Sequence, residues 1–413
     1  MAYNSSKIGR VYARPQADYE TPHASSDVIA EQYAMEVEMV VPPTTREIFE
    51  RAAVRGGFYE IAPVSGSQHG AEFTVSKPLH GLSSSALTSD PTPHGDAYLL
   101  QALLGSILTD NYSASAVSGT GSTTTSIDID AAKIGDFSNG GAFMVGGAGG
   151  FLQTVDAVGN TIEPILELSA APTSGGETVY GSTTQYLSTA GTLSFTIVWR
   201  AKEDETQLVL QSCVPTSATI TLGPKDNYPR LEVTFSCNGI VSETASQAIT
   251  DYDYNLPVLP VPTSDASARL VFASTSGGTG TTELDIEGLQ IAITQELVPQ
   301  LSHNSSGGVA DMLVTNRSVE VSFKGVLGAA NPFDSTGKVL TDIANSAPKA
   351  VQFQLGSVSG QMFMMLLPSP IQTEVPAVED MGGVWGLSFM LKPGNYGGSG
   401  TGVEDSDFRV AFL

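Results

Sequence analysis

The 413-residue sequence predicts a mainly β protein: two tandem β-sandwich domains, each with a short flanking helix, plus a small inserted β-module. Three observations predict it. Charged residues make up only 15% of the chain while glycine alone numbers 43, a mix that favours short strands and turns over helices. Several stretches alternate strictly, the clearest being PRLEVTFSCNG at 229–239, where Leu231, Val233, Phe235 and Cys237 oppose Glu232, Thr234 and Ser236. Finally, the same order of elements occurs twice.

In the first half, residues 1–30 are polar and irregular and read as an N-terminal arm. YAMEVEMVV at 33–41 alternates, with Glu36 and Glu38 on its polar side. Residues 44–54 suit a short helix capped by Thr44 or Thr45. A strand follows at 71–77, with Phe73 and Val75 opposite Glu72 and Thr74. GDAYLLQALLGSIL at 95–108 is the best helix, with Asp96 as N-cap and an apolar stripe of Leu99, Leu100, Leu103, Leu104 and Ile107. Gly, Ser and Thr then dominate 118–188, whose weak strands read as the inserted module. The sheet resumes at 193–199, 207–214 and 216–222 before the strand at 229–239. This assigns 31–117 and 189–250 to the first domain.

Residues 251–282, rich in Pro and then in Gly and Thr, read as a linker. The second domain, 283–395, starts the pattern again with strands at 284–297, carrying Asp285 and Glu287, and at 318–324, carrying Glu320. A capped helix at 334–345 and strands at 350–356, 361–367 and 384–392 complete it, and 396–413 reads as a tail.

The chemistry of a catalyst is missing from the pattern. Five scattered histidines lack metal-ligand spacing. GGAFMVGGAGG at 140–150 lacks the lysine and serine or threonine of a phosphate loop and reads as turns. GSVSG at 356–360 has Val358 where a nucleophile elbow needs serine and reads as a hairpin turn. No catalytic, cofactor or metal residue is expected. Cys213 and Cys237 sit at strand positions beside apolar neighbours, which favours reduced core packing over a disulfide or a reactive thiol. The net charge of −24, with no basic cluster, argues against gripping nucleic acid but allows repelling it. No apolar run is long enough for a membrane span, and the first twenty residues lack a signal-peptide core.

With these elements placed, both halves resemble the major tail tube proteins of long-tailed, siphovirus-like bacteriophages. The resemblance rests on strand 33–41, strand 71–77 with helix 95–108, and the hairpin LVLQSCVPTSATITL…RLEVTFSCNG at 208–239. In the second half it rests on LDIEGLQIAITQEL, SVEVSFKG, the short helix and VQFQLGSVSGQMFMMLLPSP. It covers about residues 30–250 and 283–395. It implies tail-tube-type sandwiches whose sheets join edge to edge into rings, and rings that stack into a hollow conduit for DNA ejection. Two fused domains imply a ring of three chains with pseudo-sixfold symmetry. The implied partners are further copies of the chain and the tape-measure, tail-tip and terminator proteins, with DNA passing through without specific binding. The implied location is the virion tail, assembled in the host cytoplasm. Glu36, Glu38, Glu72, Glu232, Asp285, Glu287 and Glu320 are then candidates for an acidic lumen lining, against the alternative of ordinary solvated faces. Three other readings stay open: a capsid decoration or tail-terminator protein, a bacterial surface adhesin, and an acidic β-rich glycosidase. The glycosidase lacks exposed aromatic platforms, since Trp199 and Trp385 both lie in apolar strand patterns.

Overall fold

Alternation in the sequence becomes antiparallel pairing in the computed structural model. It describes residues 10–29, 33–35, 37, 39–41, 48–49, 64–65, 71–79, 95–110, 115–116, 121–173, 177–200, 206–223, 228–244, 269–274, 282–302, 309–326, 349–358, 360–374, 377–380, 385–394, 396 and 403–413. The strands of the body are β1 (Arg10–Pro15), β2 (Met39–Val41), β3 (Ala71–Pro78), β4 (Gly105–Thr109), β5 (Thr183–Leu187), β6 (Phe195–Arg200), β7 (Thr206–Leu222) and β8 (Arg230–Thr244). They continue as β9 (Arg269–Ser274), β10 (Thr282–Leu301), β11 (Val309–Val326), β12 (Lys349–Leu355), β13 (Phe363–Leu367), β14 (Ala377–Asp380), β15 (Trp385–Pro393) and β16 (Arg409–Phe412). The protein is mainly β, as its composition predicts.

A first sheet has the order β2-β3-β8-β7-β10-β11-β15-β14, and a short strand, Pro370–Gln372, continues the β14 edge along the far end of β15. Within each group of four, the first two strands in chain order are followed by the fourth and then the third. The sequence order 1-2-4-3 therefore occurs twice, and the two groups meet where Ser217–Leu222 of β7 pairs with Leu289–Thr294 of β10. A second layer has the order β4-β5-β16-β13-β12-β9, and β9 joins the start of β10. Here β16, the end of the chain, stitches β5 of the first half to β13 of the second.

One apolar cluster fills the space between the layers and draws on both halves. Phe73, Val75, Phe235, Ile291 and Phe323 come from the first sheet, and Phe353, Phe363, Met365 and Phe412 from the second. The helix Gly95–Leu104 adds Leu99, Leu100, Leu103 and Leu104 to it. Its stripe was expected to continue to Ile107, but the helix stops at Leu104. Gly105 takes φ +107°, a left-handed conformation that ends helices, and Ile107 belongs to β4.

Several boundaries expected from the sequence are corrected. The N-terminal arm contains β1, which pairs with β6 over six residues and buries Tyr12. The linker contains β9, and the tail contains β16, whose Val410 and Phe412 are fully buried. Strand 33–41 divides in two: Ala34–Met35 pairs with β1, while Met39–Val41 pairs with β3. Ile48–Phe49, expected in a helix, is extended and pairs with Val64–Ser65. The helix at 334–345 lies outside the described residues. Segments 207–214 and 216–222 are one strand, β7, with an irregularity between Pro215 and Ser217.

The module begins with Ser115–Ala116 and ends with Thr178–Gly181, so Thr183–Leu187 belongs to the body as β5. Its six-stranded sheet has an apolar cluster of its own, including Phe143, Leu152, Ile162 and Val179. The glycine run forms a hairpin there. Gly146 and Gly147, at φ +57° and +82°, make a two-residue turn between Ala142–Val145 and Ala148–Asp156. A further cluster joins Met144 and Phe151 of the module to Met362, Met364, Leu366 and Leu413 of the body. The second layer is thus covered on both faces, which explains why FMMLL is apolar at every position.

Candidate functional site

The first sheet buries one face and leaves the other outside the core. Because strand side chains alternate, the register fixes which residues share that outer face. One transverse row runs Ser76–Glu232–Thr219–Ala292–Glu320 across β3, β8, β7, β10 and β11. The next row runs Thr74–Thr234–Ser217–Thr294–Ser318 across the same five strands. In this second row Thr74 and Thr234 hydroxyls lie 3.0 Å apart and Thr294 and Ser318 hydroxyls 2.6 Å apart. Thr216 Oγ1 donates to the Thr234 carbonyl at 3.1 Å. The row of hydroxyls crosses the meeting line of the halves at Ser217 and Thr294, so the polar surface is continuous there.

The structure brings three of the expected acids onto this face: Glu72 and Glu232, both exposed, and Glu320, partly exposed. Glu232 and Glu320 share a row but stand three strand spacings apart, roughly 14 Å. That exceeds the distance over which surface charges act strongly at physiological salt. Basic residues interleave with the acids. Lys392 Nζ lies 3.3 Å from Glu320 Oε2, Arg230 precedes Glu232 by two residues, and Lys324 follows Glu320 by four. The outer face is therefore mixed in charge and hydroxyl-rich at the described positions, rather than uniformly acidic. The side chains of Glu36, Glu38, Asp285 and Glu287 lie outside the described residues.

Sequence reasoning missed the groups that fix the halves to one another. Arg317, on the core side of β11, donates through Nη1 to the carbonyls of Ser188 at 2.8 Å and Ala190 at 2.7 Å. Its Nη2 reaches the Gly191 carbonyl at 3.3 Å, so one guanidinium gathers three carbonyls of the other half. Burial lowers its pKa from the ordinary arginine value. Gln295 Nε2 donates to the Pro215 carbonyl beside the meeting line and to Thr192 Oγ1. Neither residue carries a pattern in the sequence, since the carbonyls and the hydroxyl they meet are brought near only by folding.

Cys213 and Cys237 face each other in the register of β7 and β8, both fully buried and both free thiols. Among the described residues no grouping of three or more His, Cys, Asp or Glu could hold a metal ion, and no helix is long and apolar enough to cross a membrane. No protein-family model matches the chain, and no curated protein matches it.

Proposed function

We propose that the chain is a structural subunit that polymerises through the edges of its first sheet into rings, and that the rings stack into a hollow tube of the phage-tail type. The observation that carries this reading is the twofold strand order of that sheet. The pairing of β7 with β10 joins one 1-2-4-3 group to the next inside a single chain. The same contact made between chains would set β2 of one copy beside β14 of another, using strand edges that are otherwise an aggregation hazard. Such a contact is heterologous, and a rotation that closes gives a ring. Two groups per chain make three chains the count that yields six groups. The outer face of the first sheet then lines the channel, and the module, which sits on the far layer, faces outward. A lining of hydroxyls and balanced charge offers a passing DNA no basic stripe on which to release counterions. Tape-measure, tail-tip and terminator proteins would be its partners, in the virion.

Electron microscopy of the purified full chain tests the reading. The expected result is hollow tubes built of three-chain rings with pseudo-sixfold symmetry. Isolated rings without stacking would favour a terminator role. Particles that stay monomeric at high concentration would overturn polymerisation altogether.

A further inference from the structure

Cys213 of β7 and Cys237 of β8 are the chain's two cysteines, and the proposed assembly uses neither. They are direct partners in an antiparallel register, and both thiols lie in the apolar cluster between the layers. Directly opposed residues point to the same face, and their Cα atoms stand about 4.5 or 5.5 Å apart according to the kind of site. Both separations fall inside the range of about 4.4–6.8 Å that a disulfide spans. The side chains already meet: the Cys237 thiol is within hydrogen-bonding reach of Cys213.

The ladder beside the pair is broken. Gln211 pairs with Gly239 and Cys213 with Cys237, but the register passes over Ser212 and Asn238. Ser212 takes φ +50°, uncommon for a residue with a side chain, and Asn238 Oδ1 is buried without a partner. Opposed Cβ atoms stand about 4.5–5.5 Å apart, and a disulfide draws them to about 3.5–4.5 Å. A ladder that already parts at the next position lets the strands take up that difference. The arm closes over this part of β7, where the Tyr19 carbonyl accepts from Ser212 Oγ at 2.6 Å. Both thiols are fully buried, so a reagent reaches them through local opening of the fold.

We propose that Cys213 and Cys237 form a redox pair, which a small-molecule disulfide such as glutathione disulfide converts into a cross-link between β7 and β8. One cysteine thiolate, formed on opening, attacks a sulfur of the glutathione disulfide; that S–S bond breaks, and one glutathione leaves as a thiolate and takes up a proton. The second cysteine, as its thiolate, attacks the protein sulfur of the mixed disulfide and expels the other glutathione. The two cysteines lose two electrons and two protons, and the glutathione disulfide gains them as two thiols. A reducing compartment keeps the pair as thiols, and an oxidising one closes it. The bond lies within one chain, so it stands or falls apart from the tube reading.

Equilibration of the full chain in glutathione buffers of graded ratio, followed by acid quenching, alkylation and intact-mass measurement, tests the proposal. The expected product is lighter by two hydrogens, with the bridge mapped to the peptides that carry Cys213 and Cys237 and no bond between chains. The share of oxidised glutathione that half-oxidises the folded chain should be at least about tenfold lower than for the chain unfolded in urea, because the fold holds the sulfurs together. By linkage the oxidised chain should then unfold at higher urea than the reduced one. Cys237→Ala, with a single thiol, should form no bridge and unfold alike in oxidising and reducing buffers. Glutathione adducts in place of the bridge would overturn the proposal, as would an oxidised chain whose urea midpoint is no higher than that of the reduced chain. Where the folded chain exchanges too slowly, the chain is oxidised in urea and then refolded. Failure of the oxidised chain to refold overturns the proposal in the same way.

Discussion

Asp110 shows how one residue can set a pH dependence. It follows β4 where the chain leaves the body for the module, and its N–H donates to the Ser182 carbonyl of the returning segment at 3.1 Å. Its carboxyl is buried, and Oδ2 has no partner. Burial pushes its pKa from 3.8 up to about 6, against hydrogen bonds from Ser138 that lower it and with a smaller push from Asp136. A carboxyl whose folded pKa is raised stabilises the fold fully below its unfolded value. That contribution is lost as pH rises from 3.8 through about 6. The shift corresponds to roughly 3 kcal/mol between pH 3 and pH 7.5. Asp110→Asn, which keeps the shape without the charge, should raise the urea midpoint at pH 7.5 and leave it nearly unchanged at pH 4. Equal effects at both values would remove burial of the charge as the cause.

At the scale of elements, the module is a docked layer and not a loose appendage. Gln354 accepts from the Gly149 N–H at 2.9 Å and donates to the Gly147 carbonyl at 2.9 Å, while Gln352 donates to the Gly149 carbonyl at 3.0 Å. Two glutamines of β12 thereby satisfy the turn of the module's hairpin, and methionines fill the space beside it. Gly149 lies close under the methionines: a Cβ there would meet Met364 Sδ and Met362 Sδ, and both side chains would have to shift. Gln354→Ala leaves buried backbone groups without partners and should cost about 1–3 kcal/mol, read from urea unfolding. The alternation of VQFQL made both glutamines legible as one face of a strand. That this face is a docking face was not legible, because its partners are backbone atoms roughly 200 residues away in sequence.

At the scale of the molecule, the last strand closes the fold. Phe408, Val410, Phe412 and Leu413 are all fully buried, and β16 pairs with a strand of each half. Each such side chain contributes about 1.5–3 kcal/mol on burial. Together they approach the whole net stability of an ordinary domain, about 5–15 kcal/mol. Truncation after Asp407 should therefore prevent folding, seen as loss of cooperative unfolding and rapid proteolysis; a cooperative, protease-resistant truncated chain would contradict it. In assembled particles, Glu232→Gln/Glu320→Gln should leave tubes intact and slow DNA ejection. The second change also releases Lys392, which then presents an unpaired cation to the passing DNA. Unchanged ejection kinetics would remove this face from the channel.

By itself the sequence determined the local conformations: period-two alternation marked β3, β7, β8, β10, β11 and β15, and glycines marked the turns. Those are properties of a few neighbouring residues and their two faces. Tertiary structure decided the partners. RVYARP, RLVFAS and RVAF are short segments beside polar or glycine-rich stretches, and nothing local distinguishes them from an arm, a linker or a tail. Each becomes a strand because a distant edge supplies its hydrogen bonds and a shared core takes its apolar side chains. The same is true of the outer face: alternation showed which residues lie opposite the core, but only the pairing of β11 with β15 set Lys392 against Glu320, and only the register across five strands aligned the hydroxyls.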